Sequence, residues 1–124
     1  MPNVIDARRP TASEPRLSTY KSQSRQLSQL VRAFVSRQFN VSVDELVSAQ
    51  RGSSTACHAR QVAMYLTHVV FGVTLTSVGD EFGRDRSTVS HACRQVEWAR
   101  DDVVFDQLLS RLEWQLRAAT GKEV

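Results

Sequence analysis

Apolar residues recur at helical intervals along most of this chain. Leu27, Leu30, Val31, Phe34 and Val35 follow at three- and four-residue steps. They form one apolar face of a helix expected from about residue 22 to Phe39–Asn40, with Gln, Ser and Arg on the other face. Ser42 followed three residues later by Glu45 is a capping box, which starts a short helix at 43 that stops near Ala49–Gln50. The polar run at 51–54 (RGSS) reads as a loop. A longer helix over about 55–71 buries Ala56, Ala59, Val62, Ala63, Leu66, Val69 and Val70, leaves Arg60, Gln61 and His68 off that stripe, and is closed by Gly72.

Beyond Gly72 the elements shorten. Residues 76–82 (TSVGDEF) form a short helix with Thr76 as its expected N-cap, broken by Gly83. Asp85 or Ser87 caps the next helix, which runs to about Arg100 and turns Val89, Ala92, Cys93 and Val96 inward. The last helix carries Asp101 and Asp102 at its positive end and buries Phe105, Leu108, Leu109, Leu112 and Leu116. Trp98 and Trp114 are expected to pack these last two helices together. No alternating strand-like segment of useful length occurs, and no internal repeat. The fold class is all-α: a compact domain of about six helices containing a helix-turn-helix.

The first 20 residues break the pattern. They hold all three prolines, Pro2, Pro10 and Pro15, among Ser, Thr and Arg, and read as a flexible arm. The domain proper is expected over 21–119, with a short tail at 120–124. Arg8, Arg9 and Arg16 are candidates for contact with a nucleic-acid backbone, although a solvated tail explains them as well.

Composition adds a direction. The net charge is +3, and of 16 basic residues all but Lys21 and Lys122 are arginine. Arginine makes bidentate contacts with phosphate and guanine, although a GC-rich genome produces the same bias. Two cysteines, Cys57 and Cys93, make no disulfide framework and point to a reducing compartment. No run approaches the roughly 18 apolar residues of a membrane span, and no signal peptide is visible. A cytoplasmic, nucleoid-associated protein is expected.

Candidate chemistry concentrates at 75–93 (LTSVGDEFGRDRSTVSHAC). Gly79 sits inside a helix, a poor place by propensity, which makes sense if another helix crosses closely there. Gly83, four residues on, is suited to a turn with positive φ. Val89 lies six residues further, giving helix-turn-helix spacing. In that motif the second helix enters the major groove by its N-terminal end. Arg84 and Arg86 supply charge and can read guanine, Asp85 can accept from cytosine N4, and Ser87 and Thr88 can reach phosphates or bases. The plainer reading is a capped helix start with surface charge.

These residues resemble a known family. VGDEFGRDRSTVSHACRQVE (78–97) resembles the signature of the C-terminal DNA-binding domain of the bacterial replication initiator family, DnaA. ARQVAMYL (59–66) resembles the family's Pro-Arg-Gln-x-Ala-Met-x-Leu segment, and FNVSVDELVS (39–48) its first short helix. The resemblance covers about residues 22–117. It implies the family's Trp-repressor-like helical fold and binding to short asymmetric duplex sites, the DnaA boxes. It implies major-groove contacts from Asp85, Arg86, Ser87 and Thr88, and phosphate contacts from Arg60 and Gln61. It also implies a minor-groove arginine in the loop before the long helix, residues 50–54 here.

Three departures follow. Arg86 stands where the family keeps histidine, and Ser87 replaces a threonine; a guanidinium fork in place of an imidazole predicts a shifted site preference. The loop QRGSST lacks the family's run of Lys and Arg. The minor-groove position falls on Gly52, with Arg51 adjacent as its substitute. Finally, no Gly-x-x-x-x-Gly-Lys-Ser/Thr occurs in the sequence, so it holds no ATP site of the P-loop kind. The chain therefore reads as either a stand-alone DNA-binding protein or a fragment of a larger one, the start at Met1 favouring the first; it is not expected to be an enzyme, and no cofactor is expected. Its expected partners are double-stranded DNA with DnaA-box-like sites and, beyond it, the full-length initiator or other replication proteins. The alternative is an interaction module or transcriptional regulator on the same fold. Cys57–His58 and His91–Cys93 are expected to pack, since their spacing does not converge on a metal.

Overall fold

The computed structural model describes residues 9–121, with side chains from residue 19 onward. Six helices and no strand occur among them: α1 (Arg9–Phe39), α2 (Val43–Val47), α3 (Ser54–Phe71), α4 (Leu75–Phe82), α5 (Arg86–Ala99) and α6 (Val103–Ala119). Residues 1–8 of the expected arm and 122–124 of the expected tail lie outside the described residues.

The first helix begins earlier than its apolar face suggested. Periodicity starts it near residue 22, yet α1 begins at Arg9, so 9–20 are helical. Pro10 lies in the first turn, where no intrahelical amide bond is lost. The helix runs on through Pro15, a residue that in a helix interior typically costs about 3 kcal/mol. The other end is sharp. Asn40 takes a left-handed φ of 55°, and Val41 N–H donates to Ser36 O at 3.1 Å, which satisfies an end-of-helix carbonyl.

α3 is the axis of the domain: the five other helices all pack on it. Its buried residues include Val62, Ala63, Met64 and Leu66. Around them lie Val31 and Val35 of α1, Leu46 of α2, Phe82 of α4, Val89 and Val96 of α5, and Leu109, Leu112 and Leu116 of α6. Burying a side chain of this size contributes about 1.5–3 kcal/mol. Two positions of α3 differ from the expected stripe. Val69 is exposed, and Arg60, expected on the outer face, is buried at 5% exposure.

Trp98 and Trp114 do not join the last two helices: they are 64% and 55% exposed. The reason is topological, because α6 packs on α1 and α3. The tryptophans stand two residues from the buried Val96 and Leu112, and such spacing turns a side chain away from its neighbour's face. The α5–α6 corner is tied instead by Arg100. Its guanidinium pairs with Asp106 and Glu113 and donates to the Tyr65 hydroxyl at 3.0 Å.

α4 is held from outside by α1. Arg32 Nη2 donates to Glu81 O at 2.8 Å and pairs with the Glu81 carboxylate at 3.2 Å, and its guanidinium stacks over the Phe82 ring. This contact fixes the first helix of the helix-turn-helix against the long α1.

Candidate nucleic-acid interface

The turn between α4 and α5 is built almost entirely from local chemistry. Thr74, not Thr76, caps α4, accepting from Ser77 N–H at 3.2 Å. Thr76 falls inside the first turn, where its hydroxyl cannot serve the same amide. At the far end Gly83 adopts φ 67°, and Arg84 N–H donates to Gly79 O at 2.9 Å. A Cβ on Gly79 would lie 2.3 Å from the Arg84 carbonyl oxygen. The mid-helix glycine is thus required by the folded-back backbone of the turn, and not by a second helix crossing it.

Asp85 is the cap of α5, which resolves the choice between it and Ser87. Its carboxylate accepts from Thr88 N–H at 3.1 Å and from the Ser87 hydroxyl at 3.0 Å. The Thr88 amide holds the Asp85 carboxyl below the usual carboxylate range, so it is ionised at neutral pH and places a negative charge beside the positive helix end. Arg86, Ser87 and Thr88 follow on the first turn, all exposed. Arg84 donates from Nη1 to Phe82 O at 2.9 Å. Partial burial and the neighbouring Arg60 charge both lower its pKa from the ordinary arginine value.

A groove runs between the start of α3 and α5. Arg51, Arg60, Gln61, Arg84, Thr88 and His91 line it. Asp85, Arg86 and Ser87 open onto the other side of the same helix start, beside Leu75 and Ser90. The eight residues singled out in the sequence therefore gather around one helix N-terminus, although they come from three separate segments. Two arginines at a helix start suit a polyanion, since its free amides and dipole add to their charge.

Arg60 takes a different place from the rest. Its Nε donates to Leu46 O at 2.9 Å, Nη2 to Glu45 O at 2.7 Å and Gln50 O at 3.4 Å, and Nη1 to Arg51 O at 3.3 Å. The guanidinium faces inward, toward backbone carbonyls. A signal for this lay in the sequence: position 60 is four residues after Ala56 and three before Ala63, within reach of the buried stripe.

Of the cysteine and histidine pairs, Cys57, His58 and Cys93 are part-buried and pack, whereas His91, expected to pack, does not. Cys57 Sγ donates to Arg51 O at 3.1 Å. His58 lies between the rings of Phe39 and Phe105 at 5.6 and 5.4 Å, and burial pushes its pKa below the ordinary value. His91 is exposed on α5 near the Gln95 amide. No cluster of metal-ligating side chains occurs among the described residues, and no helix there is long and apolar enough to cross a membrane.

Comparison with known proteins agrees with this geometry. The bacterial dnaA protein helix-turn-helix family matches residues 28–96, a span that holds α2 to α4, the C-terminal part of α1 and most of α5. Chromosomal replication initiator proteins DnaA of Thermoanaerobacter sp. (strain X514) and of Thermoanaerobacter pseudethanolicus (strain ATCC 33223 / 39E) are each 33% identical over 82 residues, 66% of this chain. The matched part spans 18% of the length of those relatives. A crystal structure of a DNA replication initiation factor superposes with a TM-score of 0.72 at 31% identity, covering 81% of this chain and 31% of that one. The turn at Gly83, the Asp85-capped helix and the matched residues together establish that this chain belongs to the bacterial DnaA helix-turn-helix family of double-stranded DNA-binding domains.

Proposed function

We propose that this chain recognises DnaA-box-like duplex sites and acts in the initiation or regulation of bacterial chromosomal replication. The observation that carries this reading is the convergence of Arg51, Gln61, Arg84 and Thr88 on one groove at the N-terminus of α5, with Asp85, Arg86 and Ser87 on its outer side. In it, the first turn of α5 enters the major groove. Arg86 forks to guanine, and Ser87 and Thr88 touch bases or phosphates. Gln61 contacts backbone, and Arg51 reaches toward the neighbouring minor groove.

The test is a titration of two labelled duplexes, one with a DnaA box and one scrambled, at two salt concentrations. Specific readers discriminate by about 10³ or more; a preference below about threefold, far under that range, would sink this reading. A second reading, a protein-interaction module on the same fold, is favoured by the exposed Trp98, Val103, Val104 and Trp114, because apolar surface of this kind marks interfaces. Loss of site preference together with intact folding would support it.

A further inference from the structure

The loop between α2 and α3 carries Arg51 but has little structure of its own. α2 is only five residues long and ends at Val47, with Ser48 extended. Such a helix cannot satisfy its last carbonyls internally. Those of Glu45 and Leu46 turn toward the interior, as do the loop carbonyls of Gln50 and Arg51, and the Arg60 guanidinium meets all four. Cys57, one turn earlier on α3, supports the Arg51 carbonyl a second time. Arg60 is 5% exposed, and an arginine buried to this degree is unusual unless its donors are satisfied.

We propose that Arg60 is a positioning residue: its buried guanidinium, forked across the carbonyls of Glu45, Leu46, Gln50 and Arg51, fixes the loop that presents Arg51 at the groove, and it acts on DNA through that loop and not through a phosphate of its own. Four of its five N–H groups are taken by these carbonyls and the fifth, on Nη1, lies beside Cys57 Sγ at 3.9 Å, so a residue only 5% exposed has little left to offer a phosphate. A lysine could not replace it, because one ammonium cannot span the fork. The inference rests on the proposed reading of the groove as a duplex DNA site.

The test uses the full chain and a labelled duplex carrying a DnaA box. R60K keeps the charge and loses the fork. It is expected to weaken binding about tenfold, as R51A does. The double variant is expected to bind no worse than R51A, because both changes remove one contact. Three results overturn the proposal: wild-type affinity and salt dependence in R60K, wild-type affinity in R51A, or a roughly hundredfold, additive loss in the double variant.

A second readout needs no variant. In nuclear magnetic resonance of the wild-type protein, the Arg60 Nε–H is expected to be protected from exchange and to keep its shift when duplex is added; a shift on binding overturns the proposal. In free R60K the amides of residues 48–52 should exchange faster while those of α5 keep their protection, and unchanged loop amides overturn the clamp. If the wild type shows no preference for the box, the functional reading falls, and the loop exchange alone then decides whether Arg60 holds the loop.

Discussion

The mouth of α5 and the loop before α3 border the same groove but are held there differently. At the mouth, each device lies within a few residues of what it positions: Gly83 turns the chain, Gly79 makes room for the Arg84 carbonyl, and Asp85 caps Thr88. In the loop the local bonds are few: Ser48 accepts from Gln50 N–H and Ser53 from Ala56 N–H, both at 3.1 Å, and Cys57 donates to Arg51 O. The long-range hold comes from Arg60, whose farthest acceptor is Glu45, fifteen residues away in sequence. One half of the candidate interface is therefore specified by turn and cap chemistry, and the other by a buried charge that is satisfied only once α2 and α3 are packed. A mutation of Gly79, Gly83 or Asp85 is expected to disturb the turn itself, whereas one at the loop should leave the turn intact and change only what the loop presents.

The largest expected effect breaks the mouth. Gly79→Ala places a methyl 2.3 Å from a backbone oxygen that has no side-chain freedom to move. Overpacking of this kind is expected to cost about 3 kcal/mol, lowering Tm by more than about 10 °C in a domain of this size. Calorimetry measures it; a Tm within about 2 °C of the wild type would mean that the turn is far softer than its geometry implies.

Arg86→His sharpens the comparison on the reading side. It leaves the Asp85 cap and the turn untouched, so folding should be unchanged while preference moves toward the ordinary DnaA box by about tenfold. Competition binding against a panel of single-base variants measures the shift, and an unchanged panel would mean that Arg86 does not read bases.

Ser53→Ala addresses the loop. Losing an N-cap hydroxyl is expected to cost about 1 kcal/mol by urea denaturation. Base preference at the α5 mouth should survive, because nothing there depends on Ser53. A changed preference would show that the two halves are coupled more tightly than their separate supports suggest.

The smallest effect concerns pH. Burial between Phe39 and Phe105 holds His58 below its ordinary pKa, so the unfolded chain takes up a proton near pH 6.5 while the folded chain resists it. The associated stability is present above about pH 6.5 and is lost as the pH falls from there toward the lower folded value. Urea midpoints at pH 7.5 and 5.5 should differ in that direction, and His58→Phe should flatten the difference.

Much of this domain was legible because its signals are local. The capping box at Ser42 and Glu45 and the Asp85 cap act within three residues, and the structure contains both. The apolar stripes of α3, α5 and α6 follow helical periodicity, which needs no knowledge of neighbours. Thr74 was missed in favour of Thr76 because both precede the same apolar run, and only the backbone decides which hydroxyl meets Ser77. The eight candidate contact residues were drawn from motif spacing and resemblance; their gathering around one groove depends on how α2, α3 and α5 pack.

The sequence by itself determined that the chain is helical, where most of its turns fall, and that a charged cluster stands at the start of the second helix of a helix-turn-helix. Periodicity, capping and glycine geometry act over one or two turns. Only the tertiary structure decided that α6 leans on α1 and α3 and leaves Trp98 and Trp114 outside, that Arg32 locks α4 to α1, and that Arg60 faces inward. Each depends on groups far apart in the chain. A guanidinium at the edge of an apolar stripe reads as surface until the fold brings four carbonyls to it, and then its donors are satisfied inside.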